Sequence, residues 1–253
     1  MAPAAGPSRS SRLKRRYPSR VRFRAVFFDA GETLVHPAPS FPELFAQVVT
    51  REGYPRDPVA ISEGLAMVTD EFRRASEEHV LWTTAPERSR RFWLGVYGRF
   101  LDVLDLPRDD GLADTLYGAF TDRTNYASFD DVGSALEALR DADLQLGVIS
   151  NYEAWLEDLL LDLELTSLLS VRVVSGIEGV EKPDPAIFHL ALRRVGLPAS
   201  DVVYVGDVPD FDIDPAAAVG MFPVLIDRRG RHPDFTGPRV SDLRDLPALL
   251  EVS

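Results

Sequence analysis

The sequence predicts an α/β fold, a doubly wound parallel sheet with a helical bundle inserted after its first strand. Three observations predict it. Short runs of Val, Ile, Leu and Phe alternate with helical patterns from residue 129 onward. One further run of that kind stands alone near the start, and the stretch between carries helical periodicity only. Such alternation implies parallel strands joined by right-handed crossovers.

The lone run is residues 24–29, Arg-Ala-Val-Phe-Phe-Asp, which reads as a buried strand running into Gly31. Pro37 and Pro39 make residues 34–40 a loop. Apolar residues at three- and four-residue spacing then predict helices over 41–52, 58–79, 87–104 and 110–125, punctuated by Pro55, Pro58, Pro86 and Pro107. Four helices in succession suggest a small bundle. The alternation resumes with a helix over 131–141, a strand over 144–149 and a Leu-rich helix over 153–163. A strand over 171–174, a helix over 184–195, a strand over 202–205, a helix over 212–219 and a last strand over 222–226 follow. The implied division is a tail over 1–22, a core formed by 23–36 and 129–253, and a helical insertion over 37–128.

The 253 residues, 45 % of them hydrophobic, suffice for a substantial core. There is no cysteine, which excludes disulfides, thiolate nucleophiles and thiolate metal sites. With four His against 40 Asp+Glu, a metal ion here would be a hard cation on carboxylates. Residues 1–24 carry eight Lys/Arg and no acid, so the remaining chain holds 20 basic and 40 acidic residues. An acidic body argues against nucleic acid as the partner. The basic, Pro/Ser/Ala-rich tail reads as disordered and lacks the apolar stretch of a secretory signal. No apolar run approaches the roughly 18 residues of a membrane span. The expectation is a cytoplasmic protein without a membrane partner.

Ligands on doubly wound sheets bind at the carboxyl ends of the strands, so polar residues there are the candidates. Asp29 ends the first strand, Ser150 the second, and Asp207 a later one, with Asp210 and Asp212 close behind; Lys182 precedes a helix in Glu-Lys-Pro-Asp-Pro. A carboxylate can act as nucleophile, dividing one hard displacement into two easier ones. Two carboxylates from neighbouring strand ends can hold Mg²⁺, which neutralises charge on a transferring phosphoryl group. Lys182 would offset their repulsion and orient Asp29. Ser150 and backbone N–H groups after Asp29 would hold phosphoryl oxygens.

These segments resemble the haloacid dehalogenase-like hydrolases, in their branch with a helical cap after the first strand. Phe28-Asp29-Ala30-Gly31-Glu32-Thr33-Leu34 is similar to the nucleophile motif, Val148-Ile149-Ser150-Asn151 to the second and Lys182-Pro183-Asp184-Pro185 to the third. Gly206-Asp207 with Asp212 and Ala218-Val219-Gly220-Met221 is similar to the fourth. The resemblance implies a Rossmann-like core and a four-helix cap. It also implies a Mg²⁺-dependent phosphatase of small phosphorylated metabolites that works through an aspartyl-phosphate. In it Asp29 is the nucleophile, Ser150 binds the phosphoryl group and Lys182 stabilises the charged site. Asp29, Asp207, Asp212 and the Gly31 carbonyl surround the metal, and Gly31 and Asn151 face the substrate.

One position departs from that pattern. Most phosphatases of the family carry a second Asp, a general acid and base, where this chain has Gly31. General acid–base help is worth about 10²–10⁴ in rate. Glu32 and His36 are the nearby substitutes. The same departure admits a 2-haloacid dehalogenase, whose halide leaves unprotonated, or a non-catalytic binding protein on the same fold. Asp207 favours metal-dependent phosphoryl chemistry, since an unpaired carboxylate beside Asp29 would hinder the nucleophile unless a cation intervened. Asp212 serves either the site or its helix as a cap. Asp210 reads as a solvated loop residue and Asp184 as a helix cap. In the insertion, Arg73, Arg74, Trp82, Trp93, Arg123 and Asn125 are open candidates for substrate contact.

Overall fold

A computed structural model describes residues 23–252, and the predicted tail over 1–22 lies outside them. Strand β1, Ala25–Phe28, is buried along its whole length. Its side chains alternate between two layers. Val26 and Phe28 join a cluster with Leu136, Val148 and Leu160, while Ala25 and Phe27 join one with Ile149, Phe188 and Tyr204. A strand buried on both faces reads as an unbroken apolar run, which is why the sequence exposed it.

A short antiparallel stem carries the insertion. Strand β2, Val35–Pro37, pairs with β3, Tyr126–Ser128. This corrects the loop expected over 34–40: Pro37 sits at the end of the pairing, where its missing N–H costs no ladder bond. Between the two strands run helices α1 (Phe41–Arg51), α2 (Pro58–Gly64), α3 (Ala66–Glu77), α4 (Pro86–Val103) and α5 (Asp110–Thr121). The expected four helices are therefore five among the described residues. The predicted helix over 58–79 breaks at Gly64–Leu65, where α3 begins anew, and position 64 is glycine because a Cβ there would overlap the Phe100 ring of α4. The helices share their own buried cluster, with Phe45, Val49, Phe100 and Leu116 at its centre.

The core then continues through α6 (Val132–Asp141), β4 (Gln145–Ser150), α7 (Leu156–Asp162), β5 (Val171–Val174) and a one-turn α8 (Ser175–Glu178). Helix α9 (Pro185–Val195) and β6 (Val202–Gly206) follow. The helix predicted over 212–219 starts instead as a wide π turn, Pro209–Ile213, and only then becomes α10 (Asp214–Ala218). Strand β7 (Phe222–Ile226), β8 (Arg239–Val240) and α11 (Leu246–Leu249) complete the chain. The sheet order is β5-β4-β1-β6-β7-β8, parallel throughout. From β1 the chain builds outward through β4 to β5, then crosses back to β6 on the other side of β1, so the crevice at the carboxyl end of β1 is the switch point where such sheets bind ligands. No described helix is long and apolar enough to cross a membrane.

Candidate active site

Register sets the site. Phe28 of β1 aligns with Val148 of β4 on one side and Val205 of β6 on the other. Asp29, Ser150 and Asp207 therefore leave three neighbouring strands at nearly one level. The Asp29 N–H donates to the Val205 carbonyl at 2.8 Å, so the nucleophile candidate's backbone is still tied to the sheet.

Around Asp29 the hydrogen bonds are one-sided. Its Oδ1 accepts from the Ser150 hydroxyl at 2.9 Å and from Lys182 Nζ at 2.7 Å. Its Oδ2 accepts no hydrogen bond from the described residues and is left to face the cavity. Lys182 Nζ also donates to Asp212 Oδ1 at 2.6 Å and to the Tyr204 hydroxyl at 3.0 Å, so all three ammonium protons are used. Burial alone would lower its pKa, but the carboxylates of Asp212 and Asp29 push it up to about 12. The lysine stays charged at any working pH.

Asp29, Asp207 and Asp212 are all buried, and each offers an oxygen within 4.8 Å of the others. Burial, then the Asp212 and Asp29 charges, push the Asp207 carboxyl well above its ordinary range. Burial is also the main cause raising Asp29, with Lys182 opposing it and Asp212 adding to it. Such a cluster of hard oxygen donors with unbalanced negative charge suits a divalent cation. The three acids are not equivalent. Asp212 Oδ1 is spent on Lys182 and the Tyr204 hydroxyl and its Oδ2 accepts the Val208 N–H at 2.9 Å, whereas Asp207 gives only Oδ2, to Arg231 at 3.2 Å. Asp29 and Asp207 thus keep oxygens to share, and Asp212 chiefly holds the lysine. The π turn aims Asp212 inward, and Gly206 is glycine because a Cβ there would overlap the Asp212 carboxyl group.

Gly31 lines the same cavity. The turn bonds Val35 N–H to Ala30 O at 2.9 Å and Glu32 N–H to Val35 O at 2.8 Å, leaving the Gly31 carbonyl outside the ladder. An added Cβ would meet Tyr152 Cε2 at 3.6 Å, an ordinary contact. Of the substitutes for the missing acid, His36 turns its Nδ1 to the Pro37 carbonyl at 2.8 Å, packs on Phe129 and does not line the cavity. Glu32 does line it, paired with Arg229 at 3.1 Å. Asn151 is a clamp as much as a wall: its Nδ2 donates to the Lys182 carbonyl at 2.8 Å and its Oδ1 accepts the Lys182 N–H at 2.7 Å. Asp184 caps α9 as expected, accepting the Ala186 N–H at 2.8 Å.

The cap candidates divide. Trp82 and Trp93 line the cavity. Arg73, Arg74 and Arg123 are occupied by Asp70 and Asp210, by Glu71, and by Asp158 and Asp162, while Asn125 donates to the Ala119 carbonyl. Sequence reading missed Arg229 and Arg231, which enter from the loop after β7. The strand-end rule that found Asp29 points to that loop as well. Also missed was Tyr204, an apolar-looking strand residue whose hydroxyl lies between Lys182 and Asp212.

A family model for haloacid dehalogenase-like hydrolases matches residues 23–220. The chain belongs to that family. Within it, the chain is 30 % identical to "Haloacid dehalogenase-like hydrolase domain-containing protein 3" of Danio rerio over 244 residues, covering 92 % of this chain and 98 % of that one. It is 38 % identical to the glyceraldehyde 3-phosphate phosphatase of Methanopyrus kandleri over 122 residues, 47 % of this chain and 50 % of the relative. Among solved structures, the HAD-hydrolase YfnB of Bacillus subtilis superposes with a TM-score of 0.72 at 16 % identity, covering 90 % of this chain and 99 % of that one. The L-2-haloacid dehalogenase RSc1362 superposes almost as well, at 0.70 and 23 % identity, with the same coverage. Fold likeness to this family therefore does not separate phosphate from halide chemistry, and the site residues must.

Proposed function

We propose that this chain is a Mg²⁺-dependent phosphatase of small phosphorylated metabolites, working in the cytoplasm through a phosphorylated Asp29. The observation that carries the reading is the meeting of Asp29, Asp207 and Asp212 around one point, with the Lys182 ammonium on two of them. A dehalogenase needs Asp29 as nucleophile and could use Asp212 to hold the lysine, but it gains nothing from Asp207 beside them. A phosphatase needs at least two, to share a cation. When bound, Mg²⁺ would offset the charge that builds on the transferring phosphoryl group.

The residues supply the rest. Ser150 and Lys182 hold Asp29 Oδ1, which fixes the rotamer of the carboxylate that attacks phosphorus in line, while the ester P–O bond breaks and the alcohol oxygen leaves, taking its proton from water. Asn151 holds the backbone that carries Lys182. Arg229 and Arg231 lie where they can receive phosphoryl oxygens. Water then cleaves the aspartyl-phosphate. The split of 37–128 as cap from 23–36 and 129–253 as core belongs to the same proposal, the cap closing over the site to exclude bulk water. The test is hydrolysis of para-nitrophenyl phosphate with Mg²⁺. Turnover is expected to vanish with EDTA and in Asp29→Asn; activity that survives either refutes the reading.

A 2-haloacid dehalogenase is the second reading, favoured by Gly31, since halide leaves without a proton. Chloride release from 2-chloropropionate in EDTA is its signature, and no release is expected.

A further inference from the structure

The cavity above Asp29 has two ends of opposite character. Every cation that lines it belongs to the core and already faces a carboxylate: Lys182 with Asp29, Arg231 with Asp207, Arg229 with Glu32. The cap contributes no charged side chain to the wall. It contributes rings instead, among them Phe41, Trp93, Tyr97, Tyr117 and Phe120. These rings form a fixed surface: Trp93 stacks on Tyr97 at 5.6 Å, Tyr97 on Phe120 at 5.7 Å, and Phe120 on Phe41 at 4.5 Å. Beside them stands Glu153, whose carboxylate accepts from Ser89 at 2.6 Å and from the Tyr117 hydroxyl at 3.1 Å, and pairs with no cation among the described residues. A second anionic group on a substrate would meet no counter-charge at that end and one like charge.

We infer, resting on the phosphatase reading, that the substrate is a phosphate monoester whose organic part is an uncharged aromatic ring. The cavity measures about 310 Å³. A dry cavity of about 150 Å³ holds benzene, so this one has room for a ring together with a phosphoryl group. Gly31 agrees from an independent direction. With no acid to protonate the departing oxygen, the reaction is easiest where that oxygen leaves as a stabilised aryloxide. The wall and the missing proton donor thus select the same chemical class. Small phosphorylated acids fit neither.

Matched pairs of esters test this, using the full chain with Mg²⁺. Benzyl and ethyl phosphate have leaving groups of similar basicity and differ by a ring. Ethyl phosphate and phosphoglycolate differ by a carboxylate. The kcat/KM for benzyl phosphate is expected to exceed that for ethyl phosphate by about tenfold or more, and phosphoglycolate is expected to be the poorest. Trp93→Ala is expected to lower the benzyl-to-ethyl ratio, a quantity independent of how much of the variant is folded. Phosphoglycolate hydrolysed as fast as benzyl phosphate, or a ratio unmoved by Trp93→Ala, overturns the inference and leaves the phosphatase reading standing. Absence of any Asp29-dependent ester hydrolysis removes that reading as well.

Discussion

At position 31 the side chain is a single hydrogen, in the wall of the cavity that Asp29 also lines. The backbone there is not in the left-handed region, and a Cβ would be tolerated at 3.6 Å from Tyr152. Gly31→Asp is therefore expected to fold. It should raise kcat/KM on ethyl phosphate by about tenfold, the low end of what a general acid supplies, and change para-nitrophenyl phosphate little. Comparing the two substrates on one preparation checks it; an equal change on both would show that the new carboxylate acts otherwise than as an acid. Gly206 poses the opposite case. There a Cβ would displace the Asp212 carboxyl group and, through it, Lys182. Gly206→Ala is expected to cut kcat about a hundredfold, the scale of an ångström-sized misplacement, with most of the secondary structure retained by circular dichroism. Asp29, Ser150, Lys182 and Asp207 were legible in the sequence because each ends or follows a strand or shortly precedes a helix. Tyr204 was not, because its hydroxyl matters only once β6 and β4 flank β1, where it donates to the Ile149 carbonyl and accepts from Lys182.

Among elements, one buried acid ties the helical insertion to the core through several bonds at once. Glu181, immediately before Lys182, accepts the Trp82 N–H at 3.0 Å, the Thr83 N–H at 2.8 Å and the Thr83 hydroxyl at 2.6 Å, all from the loop between α3 and α4. Nearby, Trp82 packs edge-on against Phe211 of the π turn. The segment that positions the lysine is thus also the one that holds the cap. Glu181→Ala leaves two buried N–H donors without an acceptor, an expected loss of about 2–4 kcal/mol by chemical denaturation. Burial raises the Glu181 pKa, against the opposing pull of the Thr83 and Trp82 donors. A carboxyl whose folded pKa is raised adds stability below its unfolded pKa and loses it as pH climbs through the folded value. The stability advantage of the parent over Glu181→Gln should accordingly shrink as pH rises from about 4.5. A Tm series from pH 4 to 8 reads that slope, and a constant difference would contradict the assignment. This joint was invisible in the sequence, since Glu181 and Thr83 lie far apart along the chain. The β2–β3 stem was hidden for another reason: two prolines mask strands of three residues.

For the whole molecule, the body is strongly acidic and concentrates three carboxylates at one buried point. Without a cation this is a stored cost. The folded pKa values of Asp29 and Asp207 are both raised, so the metal-free protein gains from those two groups below their ordinary value near 3.8 and loses that gain as pH rises through the raised values. On the proposed reading, Mg²⁺ would bind the ionised cluster and remove the penalty, competing with protons. Its stabilisation should therefore grow with pH. At a hundredfold excess over Kd, a ligand of the folded state contributes about 2.7 kcal/mol, or roughly 5–10 °C in Tm for a chain of this size. A shift of that order is expected at pH 8 and little at pH 4.5. Asp207→Asn separates this from a general salt effect, because it keeps the side chain's shape and removes one charge from the cluster. That variant should melt above the parent in EDTA at pH 8 and lose the Mg²⁺ shift. Calorimetry of both proteins with and without the ion decides it. A variant that still responds to Mg²⁺, or that is less stable than the parent when metal-free, would mean that Asp207 neither repels its neighbours nor holds the cation.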